Sequence, residues 1–297
     1  MAKSHFTVLL FILFVDSCQS SHKEQEVKTA TVDGVQLHYK IEGQGEPIIF
    51  IHGSVVDLRY WKKQLPVFSK QFQVITYSRR YNYPNNNELM PNHSSIVEAR
   101  DLLGLMNELK IEKAHIVGHS YGGYTALLFA IDHPERVKKL ILAEPPLLRW
   151  LPELPHGEGR FERFMSETWI PIGKAFTENR DREALELTCQ WGFHAPLDSI
   201  PEEWRNYLLQ NTKEWRALTT SDDAYPKIEY SRVQNLQVPT LLLSGAQNAG
   251  NDNDLIDAQL TRLLPNHKRV IIGNAGHEMF VDNAKDSNQA VLDFLKD

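Results

Sequence analysis

The sequence predicts an α/β fold in which helices flank a mostly parallel, eight-stranded sheet and a helical segment follows the sixth strand. Three observations predict it: an alternating pair of runs near the start, six short apolar runs separated by helical patterns, and a long interruption before the last two of those runs. The chain has 297 residues, of which 42% are hydrophobic and 24% charged. This composition is ordinary for a globular protein with a large core.

The amino-terminal residues have a different character from the rest. Lys3 precedes an apolar run from Phe6 to Val15, and small and polar residues follow. This order is typical of a secretory signal, and the run is too short to span a bilayer. We expect residues 1–20 to form a signal peptide, with Cys18 as an alternative lipid anchor, and residues 21–27 to form a linker. The mature chain is then exported, periplasmic or extracellular, without a transmembrane span.

The first strands are predicted from residues 28–40, which alternate around Asp33-Gly34, a dipeptide favoured in two-residue hairpin turns. Short apolar runs separated by helical patterns are typical of parallel strands covered on both faces. A helix is predicted over 95–109, where apolar residues recur at nearly helical spacing. The six parallel strands are predicted at Ile48 to Ile51, Val74 to Tyr77, Ala114 to Val117, Leu140 to Ala143, Thr240 to Leu243 and Val270 to Ile272.

The alternation stops after Glu144 and resumes only near Val238. The intervening stretch is rich in proline and holds five of the six tryptophans. We predict that residues 145–235 form a helical cap over the strand ends, and that residues 28–144 and 236–297 form the core. Each of the five tryptophans either lines an apolar substrate cavity or packs inside the cap.

A serine set between glycines lies between an apolar run and a helical run. In this G-x-S-x-G pattern, Gly118 and Gly122 let the strand and the helix approach each other around Ser120. The turn holds the serine hydroxyl out at the carboxyl edge of the sheet, with the positive end of the helix behind it. We predict that Ser120 is a catalytic nucleophile, the alternative being a plain glycine turn.

A serine nucleophile needs a base, and the base needs a carboxylate to hold its tautomer. Among twelve histidines, His277 follows the last apolar strand and precedes the final amphipathic helix. Small residues just before it suit a loop that reaches back to Ser120. We therefore predict that His277 is the base, the alternative being a surface-loop histidine.

These residues carry a family resemblance over nearly the whole mature chain. The segment Ile48 to Ser54, Trp61, the motif around Ser120, and Gly276-His277 resemble the α/β-hydrolase fold superfamily, in the branch with a helical cap. The resemblance implies the chain order nucleophile, acid, histidine. It also implies an oxyanion hole formed by the backbone amides of Ser54 and Tyr121.

The chain departs from the family at the acid. Most relatives have an aspartate where this chain has Asn248, and an amide cannot hold an imidazolium as a carboxylate does. Some α/β-hydrolases place the acid after the preceding strand, where this chain has Glu144. We predict Glu144 as the acid, with Asp252 or Asp254 as alternatives.

A second departure lies after the strand that ends at Tyr77. Arg80 matches the arginine of a family segment whose other residues differ here. We expect the segment 78–84 to form one wall of the entrance to the site.

The predicted function is hydrolysis of a carboxylic ester, thioester or lactone through an acyl-enzyme on Ser120. Carbon–carbon bond hydrolysis by the same triad is an alternative, and a non-catalytic binding protein of the same fold is another. The net charge of −6 is spread without a basic stripe, so the expected partner is a small-molecule substrate and not nucleic acid. No metal-binding or dinucleotide motif is evident, so no cofactor and no metal are expected. The oligomeric state is open.

Overall fold

The computed structural model describes residues 26–296, and its strands form one eight-stranded sheet. The order across the sheet is β1-β2-β4-β3-β5-β6-β7-β8, in which β2 pairs antiparallel with β1 and β4 and all other pairs are parallel. This confirms the predicted sheet and its opening antiparallel pair. The strands are β1 (Lys28–Val32), β2 (Val35–Glu42), β3 (Glu46–Ile51), β4 (Phe72–Tyr77), β5 (Ala114–His119), β6 (Val137–Ala143), β7 (Thr240–Gly245) and β8 (His267–Ile272).

Helices cover both faces of the sheet, and buried apolar side chains form one cluster on each face. The helices are α1 (Leu65–Phe68), α2 (Ser95–Glu108), α3 (Tyr121–Asp132), α4 (Arg160–Phe164), α5 (Ile170–Thr177), α6 (Asp181–Phe193), α7 (Glu202–Gln210), α8 (Thr212–Thr219), α9 (Tyr230–Gln234), α10 (Asp252–Leu263), α11 (Met279–Asp282) and α12 (Ala284–Lys296). The α2, α3 and α10 helices pack on one face, and α1, α11 and α12 pack on the other. Because apolar side chains are removed from water on both faces, the strands read as continuous apolar runs.

Two sequence signals correspond to observed local structure. Asp33 and Gly34 join β1 to β2 with φ values of 47° and 83°, as a two-residue turn with two left-handed residues requires. The predicted helix over 95–109 is α2. Both predictions are confirmed.

The segment between β6 and β7 is helical and contains α4 to α9. Of its tryptophans, Trp150, Trp169 and Trp215 are buried, whereas Trp191 is 46% exposed. The boundaries at 145 and 235, and the function of this segment as a cap, stay predictions.

The predicted signal peptide, the linker up to residue 25 and the alternative anchor at Cys18 lie outside the described residues. Cys189 is buried and has a free thiol. Within residues 26–296, every helix is too short or too polar to cross a membrane.

Candidate active site

The turn after β5 holds Ser120 in a strained conformation. Its φ of 52° and ψ of −125° are rarely adopted by a residue with a side chain. A Cβ atom on Gly118 would lie 2.4 Å from the carbonyl oxygen of Gly122, and one on Gly122 would lie 2.4 Å from the carbonyl oxygens of Ile51 and His52. Only glycine fits at these two positions. The close approach of the strand and the helix therefore explains the two glycines of the G-x-S-x-G pattern.

The two residues predicted to supply the oxyanion amides, Tyr121 and Ser54, come from different parts of the chain. Tyr121 is the first residue of α3, so its N–H has no acceptor within the helix. Ser54 follows β3 and lines the same cavity as Ser120. Gly53 directly precedes Ser54 in the loop after β3. A Cβ atom on Gly53 would lie only 3.0 Å from the Cβ atom of Ser120, which shows how closely the loop after β3 approaches the serine. The sequence-predicted residues Ser54 and Tyr121 are thus both brought to the serine.

The loop after β8 brings His277 to the end of β6. Nδ1 of His277 lies 2.7 Å from Oε2 of Glu144. Burial opposes protonation of His277, but the hydrogen bond to Glu144 and the charges of Glu278 and Glu144 outweigh burial, so the pKa of His277 is raised. Burial likewise tends to raise the pKa of Glu144, yet its hydrogen bond to His277 and the positive charge there lower it. Each side chain thus stabilises the charged form of the other.

Glu144 is fully buried and its carboxylate is surrounded by donors. The Gly245 amide donates to Oε1 at 2.8 Å, the side-chain amide of Asn248 lies 2.8 Å from both oxygens, and that of Asn253 lies 2.9 Å from Oε2. The residue itself has a φ of 47°. Asn248 therefore does not replace a carboxylate; its amide binds the carboxylate that comes from β6.

The two alternative acids are bonded elsewhere. Oδ1 of Asp252 pairs with Arg160 at 2.7 Å, and Oδ1 of Asp254 pairs with Arg269 at 2.8 Å. Asp254 also accepts the Gly250 amide at 2.9 Å. The structure brings Glu144, and neither aspartate, to His277.

Ser120 and His277 line one cavity of about 560 Å³. Within the described residues their side chains do not hydrogen-bond each other. Catalytic hydrogen bonds often tighten only in the substrate complex, so proton transfer requires His277, whose side chain is 34% exposed, to approach Ser120.

Neighbours of His277 that sequence reasoning missed form a polar and aromatic cluster. Nε2 of His119 lies 2.9 Å from the carbonyl oxygen of His277, and the His119 ring stacks on Tyr60 with centroids 5.2 Å apart. The Tyr60 hydroxyl donates to Glu278 at 2.8 Å. In the described part of the chain, His119, His277 and Glu278 are the group whose ligand atoms, all within 4.8 Å of one another, could reach one metal ion.

A buried ionic cluster was also missed. Arg79 is fully buried, and its guanidinium contacts Glu98, donates to Glu214 at 2.8 Å and donates to the Gly53 carbonyl oxygen at 2.9 Å. Burial alone lowers the pKa of Arg79, but the charges of Glu98 and Glu214 raise it. No single motif reveals this cluster, because its members lie far apart along the chain.

The cluster reaches the loop that holds Ser54. Oε2 of Glu214, on α8, accepts the Val55 amide at 3.0 Å. Val55 has a φ of 56°, which is a strained value for a β-branched residue. A buried carboxylate from the segment between β6 and β7 thus holds a strained residue next to the predicted oxyanion amide.

The expectation for the segment 78–84 was wrong. Arg80 pairs with Asp101 at 2.5 Å, and none of residues 78–84 is among those that line the cavity. Arg79, one residue before Arg80 and in the same segment, pairs with Glu98 and Glu214 in the buried cluster. The cavity is lined instead by aromatic residues from α4, α6 to α8 and the loop after α8, including Trp191, Trp204 and Trp215.

Comparison with known proteins shows the family. The model for the alpha/beta hydrolase fold matches residues 46–284. The chain therefore belongs to the α/β-hydrolase family, as the resemblance implied, and it is a hydrolase of that family.

Similar proteins include two hydrolases of Comamonas testosteroni. The 2-hydroxy-6-oxo-6-phenylhexa-2,4-dienoate hydrolase is 37% identical over 273 residues, covering 88% of this chain and 91% of that protein. The 2-hydroxy-6-oxononadienedioate/2-hydroxy-6-oxononatrienedioate hydrolase is 35% identical over 279 residues, with the same coverages of 88% and 91%. An esterase structure from Exiguobacterium antarcticum has a TM-score of 0.74 at 16% identity, covering 92% of this chain and 100% of that one, and shows the fold alone.

Proposed function

We propose that this chain hydrolyses a bond to a carbonyl carbon, with Ser120 as nucleophile, His277 as general base and Glu144 as the acid that orients and stabilises His277. One observation carries the proposal: Glu144 lies 2.7 Å from Nδ1 of His277, while His277 and Ser120 face the same cavity. A carboxylate at Nδ1 leaves Nε2 free to take the serine proton.

The reaction runs through an acyl-enzyme. His277 takes the Ser120 proton as Oγ attacks the carbonyl carbon, and the amides of Ser54 and Tyr121 bind the oxyanion. The bond to the leaving group breaks, and the leaving group receives the proton from His277. Water, deprotonated by His277, then releases the acid and restores the serine.

Carbon–carbon bond cleavage is the first candidate for this reaction. The substrate named for the relative at 37% identity is a 2-hydroxy-6-oxo dienoate, which has a ketone and a carboxylate but no ester. Hydrolysis of such a compound must break a carbon–carbon bond beside the ketone. A ketone substrate requires the same nucleophile and oxyanion donors that Ser120, Ser54 and Tyr121 supply.

Ester-type cleavage of a carboxylic ester, thioester or lactone is the second candidate. Acyl transfer needs only the serine, its base and the two amides, and the aromatic side of the cavity suits an apolar acyl group. The two candidates differ in the leaving group and not in the catalytic residues.

The test compares Ser120→Ala with Ser199→Ala on two substrates, p-nitrophenyl butyrate and the diketone benzoylacetone. Removal of the nucleophile should lower kcat/KM by about 10⁴-fold or more on whichever substrate is turned over. Ser199→Ala is the matched control, because Ser199 is exposed and does not line the cavity, and it should change the rate by less than about threefold. Wild-type turnover by Ser120→Ala would reject the proposal.

A further inference from the structure

The charges on the cavity wall restrict the substrate. Among residues 26–296, neither lysine nor arginine lines the cavity, whereas Asp252 and Glu278 do. Glu144 hydrogen-bonds His277 at 2.7 Å and adds a third carboxylate, which is buried. An anionic group that enters this cavity therefore meets negative charge without a fixed cation to pair with it.

Two cations that contact lining residues, Arg160 and Arg79, are already paired with carboxylates. Nη1 of Arg160 lies 2.7 Å from Oδ1 of Asp252. Glu278 accepts one hydrogen bond, from the Tyr60 hydroxyl at 2.8 Å, and this neutral partner leaves its charge in place. The ion pair with Arg160 neutralises Asp252, but it also leaves the charge of Arg160 unavailable to a ligand.

Two side-chain amides on the polar side of the cavity already have an acceptor. The side-chain amides of Asn248 and Asn253 donate to Glu144 at 2.8 and 2.9 Å. The side-chain oxygen of Asn251 accepts the Asp254 amide at 3.1 Å, so it caps the start of α10. The carboxylates of Asp252 and Glu278 on this side offer only acceptors, which do not bind a carboxylate.

The opposite side is aromatic. The rings of Trp191 and Trp215 stack with centroids 6.1 Å apart and an interplanar angle of 16°, and Phe164 lies 5.7 Å from Trp191. These three rings remove an apolar group from water and offer no positive charge.

We propose, building on the hydrolase function proposed above, that this site takes an uncharged, apolar acyl donor and discriminates against a substrate with a free carboxylate. The substrates named for the two Comamonas testosteroni relatives are a dienoate and dioates, which carry carboxylates. Because the cavity of this chain is lined by aromatic rings and carboxylates and not by lysine or arginine, we assign it a neutral ketone or ester as substrate.

The first experiment measures binding without turnover. Phenylhexanoate and the isosteric phenylhexanamide are titrated into Ser120→Ala, and the quenching of tryptophan fluorescence reports occupancy of the cavity beside Trp191 and Trp215. The amide should bind at least about tenfold more tightly, because an unpaired carboxylate pays a desolvation cost that the amide does not. Equal or tighter binding of the carboxylate overturns the proposal.

The second experiment measures selectivity in turnover. The p-nitrophenyl monoester of adipic acid is compared with the methyl ester of the same compound. In the same way, 2-hydroxy-6-oxo-6-phenylhexa-2,4-dienoate is compared with its methyl ester. The ratio of kcat/KM should favour each neutral partner by about tenfold or more. Asp252→Asn frees Arg160 and should shift the ratio several-fold toward the anion. Asp198→Asn is the matched control, because Asp198 pairs with Arg182 at 2.6 Å and does not line the cavity, so its ratio should stay unchanged.

A further variant tests His194, an exposed residue of the cavity wall. His194→Gln should leave both ratios unchanged, and a shift of both ratios toward the neutral substrates in this variant would show that His194 attracts the anion and would overturn the proposal. Failure of the hydrolase function looks different: no substrate of either charge is turned over, while the binding preference is still measured.

Discussion

The carboxylate of Glu144 lies 2.7 Å from Nδ1 of His277, although 133 residues separate them in the chain. Glu144 directly follows β6, and Asn248, in the segment that follows β7, donates to it. The proposed acid therefore follows the strand before the one that the family resemblance implies for most relatives, and an amide lies at the position where those relatives have an aspartate. This arrangement makes distinct predictions for each side chain.

Glu144→Gln should lower kcat by about 10³- to 10⁴-fold, because an amide cannot stabilise the imidazolium and favours the wrong tautomer. Asp254→Asn is the matched control, since Asp254 pairs with Arg269 and does not contact His277. We expect it to stay within about threefold of wild type. Steady-state kinetics of both variants decide the assignment, and a larger loss in Asp254→Asn than in Glu144→Gln would reverse it.

The pH profile should report the raised pKa of His277. Burial lowers this pKa, but the hydrogen bond to Glu144 and the nearby negative charges raise it above the ordinary value of 6.5. Only the neutral ring acts as base, so the acidic limb of kcat/KM should have its midpoint above pH 6.5. In Glu144→Gln the raising contribution is lost, and the limb should move to lower pH while the plateau falls. A limb that stays in place would show that another group controls it.

Glu214→Gln should weaken both the fold and the reaction. The variant replaces a buried charge that pairs with Arg79 and holds the strained Val55 amide. We expect the free energy of unfolding to fall by about 1–3 kcal/mol in urea denaturation. We also expect kcat to fall by about tenfold, because the loop that holds Ser54 loses its support. Glu203→Gln is the control, because it changes an exposed pair with Lys62. It should change neither the free energy of unfolding nor the activation free energy derived from kcat by more than about 0.5 kcal/mol.

Gly122→Ala should destabilise the protein, because its Cβ would lie 2.4 Å from two carbonyl oxygens of the loop that follows β3. The cost should be at least about 2–3 kcal/mol, since backbone atoms must move. Gly273→Ala is the control, because nothing lies within 4 Å of its Cβ position. Thermal unfolding measures both, and equal melting temperatures would contradict the close approach at Gly122.

The parts of the site that the sequence predicted are those that local chemistry marks. Ser120 stands between glycines that its turn requires, and His277 follows a recognisable strand. Glu144 was predicted because it follows the strand before the interruption, where some members of the family that the chain resembles place the acid. Each of these signals is a short pattern within one stretch of chain.

The buried cluster has no such signal. Arg79, Glu98 and Glu214 come from a strand end and two helices, and only folding places them together. Arg80, one residue on, is the arginine that matches the family segment, yet it pairs with Asp101 and does not line the cavity. At a strand end, a shift of one residue changes which of two neighbouring side chains points inward. The sequence pattern alone does not determine whether Arg79 or Arg80 does so.

The most direct test of the central claim is labelling by a fluorophosphonate probe, read by mass spectrometry of the intact protein and its peptides. An activated serine reacts rapidly, whereas a serine in a passive binding pocket does not. The account predicts one adduct, on Ser120, that is absent in Ser120→Ala and forms at least about 10²-fold more slowly in His277→Ala. A folded wild-type protein that resists the probe, or an adduct that persists in Ser120→Ala, would contradict it.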